Sequence, residues 1–479
     1  MMEPRRCDFV VLGRTFNRRC LVWGVLAMGL AGWGGAQPAR AIESRRLNVL
    51  LIVSDDKRHD TMSCAGHPIV RTPHTDRLAE RGVRFTHAFA SLPICTPSRA
   101  AFLTGRFEPS NGVRFFGQRI HENIVAWPKA MARAGYQTAF TGKWHNVRHA
   151  DEYGFEWTAN IFLRGMDYRL DPPLAQKPGG PEKIVQGEVD TLTTDAAVRF
   201  LGERDCNRPF FLYVAYTAPH DPRDPLPEFA RMYDANRMPL PPNFLPQPKF
   251  DPGTLGIRDE KLLPLPRPEL DLKREIAHYY GLITQMDEQI GRLLKAMEQG
   301  DLTRNTIVIF ASDNGLALGA HGLLGKQTMY EEGVRVPLIM VHPDLTRRAG
   351  RTSDALVYLL DMMPTVCEWT GVSMPDGVEG RSLAPVYAGR ISKVRDSVIG
   401  RYDEGDDPRF RMIRTDRHKL IRYLNLGREE LFDLRADPHE TKDLAGDPQM
   451  QETRKSLRDR LHRILVEQRD EIGLAALKD

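Results

Sequence analysis

Four short apolar runs, each delivering polar side chains at its carboxyl end, constrain the fold of this chain more than any other feature. Residues 47–54 read Leu-Asn-Val-Leu-Leu-Ile-Val-Ser and run straight into Asp55-Asp56. Thr306–Ala311 repeats the design and runs into Ser312-Asp313-Asn314-Gly315. Between them, Gln137–Thr141 leads to Gly142-Lys143-Trp144-His145, and Pro209–Tyr216 leads to Ala218-Pro219-His220. Short runs of this kind, rich in β-branched residues, are the mark of strands buried on both faces. Such strands make an open α/β sheet, and ligands bind at the carboxyl edge of that sheet. The segments between fit covering helices: 75–81, 125–134, 193–202 and 274–298. In the last, Ile276, Tyr279, Tyr280, Ile283, Met286, Ile290, Leu293, Leu294 and Met297 form a helical stripe that reads as core. Residues 221–268 are too rich in proline for a regular element and read as a long surface excursion beside His220.

A second feature lies at Cys95-Thr96-Pro97-Ser98-Arg99-Ala100-Ala101-Phe102-Leu103-Thr104-Gly105-Arg106. Pro97 suits the first turn of a helix, and Gly105 suits the left-handed residue that ends one. Cys95 therefore sits at a helix mouth, where free N–H groups and the dipole favour an anion, and Arg99 adds a forked cation one turn on. Asp55, Asp56, Asp313 and Asn314 bring hard oxygen ligands from two strand ends, with no His or Cys spacing of a zinc site. That set suits Ca²⁺ or Mg²⁺.

The Cys-x-Pro-Ser-Arg stretch followed by Leu-Thr-Gly-Arg resembles the signature of the type I sulfatases. The resemblance extends to Lys326 in His321-Gly322-Leu323-Leu324-Gly325-Lys326, to residues 330–337, and to Leu431-Phe432-Asp433-Leu434 with Asp437-Pro438-His439-Glu440. It implies an alkaline phosphatase-like fold: a large, mixed, mostly parallel sheet between helices, then a smaller C-terminal α+β domain with an antiparallel sheet and a terminal helix. It implies that a formylglycine-generating enzyme oxidises Cys95 to the catalytic aldehyde. The aldehyde hydrates to a diol; one hydroxyl attacks sulfur and the other lets sulfate leave by elimination. By the same resemblance, Asp55, Asp56, Asp313 and Asn314, with residue 95, hold Ca²⁺ in preference to Mg²⁺. Arg99, Lys143 and the metal hold charge on the sulfuryl group. His145 contacts the diol and acts as base, while His220 and Lys326 bind sulfate and help protonate the leaving oxygen. His321 is a candidate for the pocket wall, and Arg335 for a structural ion pair. The implied reaction is sulfate-ester hydrolysis, with sulfated small molecules or oligosaccharides as substrates. A phosphonate or phosphate monoester hydrolase on the same fold, and a non-catalytic glycan-binding relative with Cys95 unoxidised, are the competing readings.

Residues 1–41 read as an export signal: a basic start, the apolar run Leu21–Leu30 and the small-x-small site Ala39-Arg40-Ala41. Arg18-Arg19 points to the twin-arginine route, with Sec export as the alternative. The expected locale is periplasmic or secreted, without a stable membrane anchor. The signal holds six of the 67 basic and two of the 63 acidic side chains, so the remainder is charge-balanced. That balance gives no reason to expect nucleic acid as a partner. Past the signal and Cys95, Cys64, Cys206 and Cys367 remain; one disulfide is open to them, but three buried thiols are the expectation. Residues 42–384 are expected to form the catalytic domain and 385–479 the smaller one. In the latter, 411–423 reads as a hairpin turning at Asp416, 430–434 as a further strand and 451–471 as one amphipathic helix. Trp144, Trp157 and Phe162 suit either sugar stacking or core packing.

Overall fold

The computed structural model describes residues 46–165, 169–404 and 407–477, so the export segment read in residues 1–41 lies outside the described residues. Ten strands form one large sheet: β1 (Asn48–Ser54), β2 (Val83–Phe89), β3 (Gln137–Lys143), β4 (Trp157–Phe162), β5 (Pro173–Ala175), β6 (Glu182–Ile184), β7 (Phe210–Ala215), β8 (Thr306–Ser312), β9 (Arg335–Val341) and β10 (Arg351–Tyr358). Their order across the sheet is β10-β2-β9-β8-β1-β7-β3-β4-β5-β6. The four runs that end in polar residues are the four adjacent central strands, all parallel: Val49 lies beside Phe211 on one side and Ile307 on the other. Only β9, β5 and β6 interrupt the parallel pattern, each pairing antiparallel with its neighbours.

Alternation along β1 explains why the run has to be continuously apolar. Val49, Leu51 and Val53 enter one core with Phe102, Trp127, Phe140, Tyr213, Ile307 and Met363. Leu50 and Ile52 enter the opposite core with Leu78, Phe200, Val214, Phe310, Met286 and Ile290. Helices Cys95–Thr104, Trp127–Arg133 and Met362–Thr370 cover the first face; Pro73–Arg81, Val189–Glu203 and Glu269–Gln299 cover the second. Each buried Val, Leu or Ile in these layers contributes about 1.5–3 kcal/mol. Trp144 and Phe162 are buried, and Trp157 packs on Phe200. All three serve packing.

A second sheet of four antiparallel strands, β11 (Val398–Glu404), β12 (Asp407–Arg414), β13 (His418–Tyr423) and β14 (Arg428–Asp433), follows in chain order. One face packs Ile399, Ile413, Leu420 and Leu431 on Leu457, Leu461 and Leu465 of the helix Gln451–Glu467. The other face joins Phe410, Met412, Ile421 and Tyr423 to Phe89, Phe107, Tyr330 and Tyr358 of the first unit. The terminal helix expected to run to residue 471 stops at Glu467 instead. Arg469 takes a left-handed backbone (φ 54°), and Asp470 starts a new helix, Glu471–Ala476, by accepting from the Gly473 N–H.

The cysteines correct one expectation. Cys367 is a buried free thiol, Cys64 a half-buried free one, and Cys206 lies exposed on the turn before β7, so the three are not all buried. No helix among the described residues is long and apolar enough to cross a membrane.

A buried ionic cluster joins the two units. Arg401 pairs with Glu108 at 2.6 Å and with Asp470 at 3.4 Å, while Arg411 pairs with Asp470 at 2.7 Å and Asp403 at 2.6 Å. Burial alone would raise the Asp470 carboxyl, but Arg401 and Arg411 outweigh it and hold it down at about 2. Breaking a buried pair from one side leaves an uncompensated charge and costs about 3–5 kcal/mol. Asp470→Asn is therefore expected to destabilise the fold by about 3 kcal/mol in chemical denaturation. Because the folded-state pKa is depressed, the Asp470 contribution is complete above the unfolded carboxyl value near 4 and is lost as pH falls towards about 2. The variant should lack that part of the acid-side decline in melting temperature.

Candidate active site

The carboxyl ends of β8, β1, β7 and β3 stand side by side, so the residues that follow them converge. Backbone bonds fix that convergence: Asp55 N–H donates to Ala218 O (3.1 Å) and Asp313 N–H to Ser54 O (3.2 Å). The fifth contribution comes from β2, which runs parallel to these strands. Its exit, Ala90–Ile94, leads into helix Cys95–Thr104, capped at its far end by Gly105 in the left-handed conformation (φ 64°). Every residue of this helix is buried, Arg99 included.

Arg99 holds the floor of the site. Its Nε donates to Asp313 Oδ2 at 2.9 Å, Nη2 reaches Asp55 Oδ2 at 3.3 Å, and Nη1 donates to Lys143 O (2.9 Å) and the Tyr213 hydroxyl (3.2 Å). Lys143 Nζ pairs directly with Asp55 and lies 3.9 Å from Cys95 Sγ. Lys326 Nζ donates to both Asp56 oxygens at 2.8 and 3.0 Å and lies 3.1 Å from Cys95 Sγ. Asp55 Oδ1 is 3.3 Å from the same sulfur. Three carboxylates thus face three cations around one sulfur, all buried.

His220 enters from the β7 side. Its Nδ1 sits 2.7 Å from Asp221 O, an acceptor, so that nitrogen carries the proton and donates. Nε2 is left with its lone pair, 3.6 Å from Asp56 Oδ2. Burial and the nearby Lys326 push His220 down to about 4, so the ring is neutral at pH 7. His145 follows β3; its carbonyl accepts from Thr96 Oγ1 at 2.8 Å, and its Nδ1 is buried with no hydrogen-bond partner. Burial, with Lys143 adding to it, holds this imidazole well below its ordinary value.

The donor set fits a hard divalent cation. Burial pushes Asp56 up to about 7 and Asp313 to about 6, with the neighbouring Asp55 adding repulsion in both cases. Asp55 would also rise on burial, but Lys143, His220, Arg99 and Lys326 hold it well below the carboxylate range. Asn314 donates its amide N–H to Asp56 Oδ1 at 2.7 Å, and its Oδ1 is buried without a hydrogen-bond partner. Ligand atoms of Asp55, Asp56, Cys95 and His220 lie within 4.8 Å of one another. Crowded carboxylates and an orphaned amide oxygen are what a cation relieves. The Cys95 thiol itself is pushed well above its ordinary value, by burial first and Asp55 second, so it is protonated at neutral pH.

Of the residues singled out from sequence, Asp55, Asp56, Cys95, Arg99, Lys143, His145, His220, Asp313, Asn314 and Lys326 come together here. His321 does not. It takes a left-handed backbone (φ 54°), stacks on Tyr330 (centroids 3.6 Å apart) and lies 2.9 Å from Asn243 Nδ2. Its placement serves packing against the second sheet. Arg335 donates to Thr86 O at 2.6 Å and pairs with Glu331 at 3.5 Å. Several contributors were not foreseen: Tyr213 under Arg99, and Tyr279, whose hydroxyl donates to Asp56 O at 2.7 Å. The proline-rich excursion supplies Glu260, which accepts from the Leu324 and Gly325 N–H groups and so holds the loop that carries Lys326.

Comparison with known proteins decides the family. The sulfatase family model matches residues 47–372, and the model of the N-sulphoglucosamine sulphohydrolase C-terminal region matches residues 319–467. The chain belongs to the sulfatase family. An arylsulfatase of Clostridium perfringens is 30% identical to this sulfatase, over 88% of this chain and 94% of its own. An N-acetylglucosamine-6-O-sulfatase of Bacteroides thetaiotaomicron is 29% identical over 92% and 89%. The solved structure of BT4656 in complex with its substrate D-glucosamine-2-N,6-O-disulfate superposes with a TM-score of 0.77 at 28% identity, covering 89% of this chain and 98% of that one. The sulfatase is a sulfuric ester hydrolase, and the cluster around Cys95 is its candidate active site.

Arg99→Lys keeps the charge but cannot span four acceptors with one flat fork. Residues that orient metal ligands typically account for 10–100-fold in affinity. The variant of this sulfatase should bind divalent cation about 10–100-fold more weakly by calorimetric titration.

Proposed function

We propose that this sulfatase cleaves sulfate monoesters carried on carbohydrate rings. In this reading residue 95 works as formylglycine, and Asp55, Asp56, Asp313 and Asn314 hold a divalent cation, Ca²⁺ in preference to Mg²⁺. The observation that carries the reading is the convergence on Cys95 Sγ of Lys326 (3.1 Å), Lys143 (3.9 Å) and Asp55 (3.3 Å) at a helix mouth. The protonated thiol is a poor nucleophile in that setting, whereas an aldehyde there supplies a hydrated oxygen nucleophile and an internal route for sulfate release. The cation, when bound, supplies Lewis-acid stabilisation of the sulfuryl oxygens.

The chain's own groups do the rest. Lys143 and Lys326 reach from opposite sides towards the place where a sulfuryl group sits over residue 95, and as fixed cations they need no reorganisation when charge develops. Asp55 and Asp56 hold those two ammonium groups in place. His220, with Nδ1–H committed to Asp221 O, offers Nε2 to a proton in transit to the leaving oxygen. In this reading His145, neutral and with an unpartnered Nδ1, acts as the base at residue 95.

The carbohydrate assignment is supported by the N-acetylglucosamine-6-O-sulfatase relative and by the neighbour solved with a glucosamine disulfate. The same reading has the chain exported by its first 41 residues to a periplasmic or extracellular site of action. A formylglycine-generating enzyme acts as maturation partner. It divides the remainder into a catalytic part, 42–384, and a smaller part, 385–479.

Two measurements test the proposal. The peptide bearing residue 95 should weigh about 18 Da less than its thiol form, and Cys95→Ala should melt normally yet lose turnover of 4-nitrophenyl sulfate. An unmodified thiol in active enzyme, or a Cys95→Ala variant with full turnover, would overturn it. Chelation should likewise abolish turnover, and added Ca²⁺ should restore it in the parent but not in Asp313→Ala. Faster turnover of 4-nitrophenyl phosphate than of the sulfate would move the substrate class to phosphate esters.

A further inference from the structure

The exposed surface beside His145 includes large apolar side chains. Phe116 is 39% exposed, yet its ring packs on His145, centroids 5.4 Å apart and planes inclined at 33°. Gly165 approaches the same imidazole so closely that a Cβ there would lie 3.1 Å from Cε1 and Nε2. The Gly165 carbonyl also accepts from Lys143 Nζ at 2.6 Å, which ties this segment to the charged cluster. Leu163, two residues before Gly165, and Val147, two residues after His145, are exposed as well, at 36% and 39%. Three large apolar side chains therefore stand in water at the segments that flank one catalytic imidazole.

Phe116 is held in that position. Gln118 Oε1 accepts from the Arg114 and Phe115 N–H groups at 2.7 and 3.0 Å, fixing the turn. Phe115 packs inward against the core that joins the two sheets and meets Phe116 edge-on, centroids 5.1 Å apart. An aromatic ring held on His145 and Phe115 still leaves 39% of its surface in water next to a charged, buried centre. It has a use if a ring-shaped substrate covers it.

We propose that Phe116 is the platform on which the ring bearing the sulfate rests, through the C–H face of a pyranose or the face of an aryl group. This makes Phe116 a specificity-determining residue for ring-borne sulfate esters. The inference rests on the sulfate-ester reading above. Its contribution is ground-state binding, so it acts on KM more than on kcat.

The test compares 4-nitrophenyl sulfate and glucosamine 6-sulfate with the ring-free ester methyl sulfate. Phe116→Ala should raise KM for both ring substrates by about three- to tenfold, with a smaller change in kcat, because aromatic face contacts are worth about 0.5–1.5 kcal/mol. The rise for methyl sulfate should be smaller, and Phe116→Tyr should restore the KM of the parent. Equal KM for ring substrates in parent and Phe116→Ala, or an equal rise for methyl sulfate, would overturn the platform while leaving the sulfatase reading intact. Parent enzyme inactive on all three esters would instead defeat the reading on which it rests.

Discussion

Everything at the active edge of the sheet depends on the buried guanidinium of Arg99. Two carboxylates, a carbonyl and a phenol, carried by four different strands or strand ends, meet on that one planar group. A buried charge is tolerated only when it is paired and hydrogen-bonded. Arg99 meets that condition by pulling the ends of β1, β3, β7 and β8 into one arrangement. The two lysines then complete a balance of three cations and three carboxylates in a space closed to water. The balance is local, and it makes a net positive site as soon as a divalent cation joins it. An anionic ester needs such a site.

The large sheet supplies the rigidity that this balance demands. Its central strands are apolar on both faces and carry helices on both sides, so their carboxyl ends cannot shift independently. The second sheet acts at a distance, through the loop between β8 and β9. Tyr330 donates its hydroxyl to Glu430 (2.6 Å), and Glu331 pairs with Lys419 (3.0 Å), so the chain beyond Lys326 is anchored in β13 and β14. Lys326 is thus held from both sides, by Glu260 from the proline-rich excursion and by the C-terminal sheet.

The parts of this architecture that were legible in sequence share one cause. β1, β3, β7 and β8 are surrounded on all sides, so burial forces their sequences to be apolar and their exits to be polar, and the pattern survives without any neighbour being known. β2 reads Val-Arg-Phe-Thr-His-Ala-Phe, with Arg84, Thr86 and His87 half-buried, and carries no such signal although it delivers Cys95. β11 was missed for the same reason: its polar residues Arg401 and Asp403 are buried, paired across to Glu108 and Arg411. His321 shows a different limit. Five residues from Lys326 in sequence, it stacks on Tyr330 instead and takes a left-handed backbone that the residue type does not announce. Tyr213 and Phe116 depend on side-chain direction, and the exposure of Cys206 on the placement of its turn; none of these is written in local pattern.

The burial of Cys95 has a consequence for the order of events in the life of the chain. It is 1% exposed, the first residue of a helix in which every residue is buried, and its neighbours come from positions as distant as 55 and 326. No second protein can grip that segment once the sheet has closed. If another enzyme oxidises that sulfur, as proposed above, it has to act before closure, while 95–106 is still an extended peptide. On that reading, a chain that folds too early is left with a buried, protonated thiol that makes a poor nucleophile.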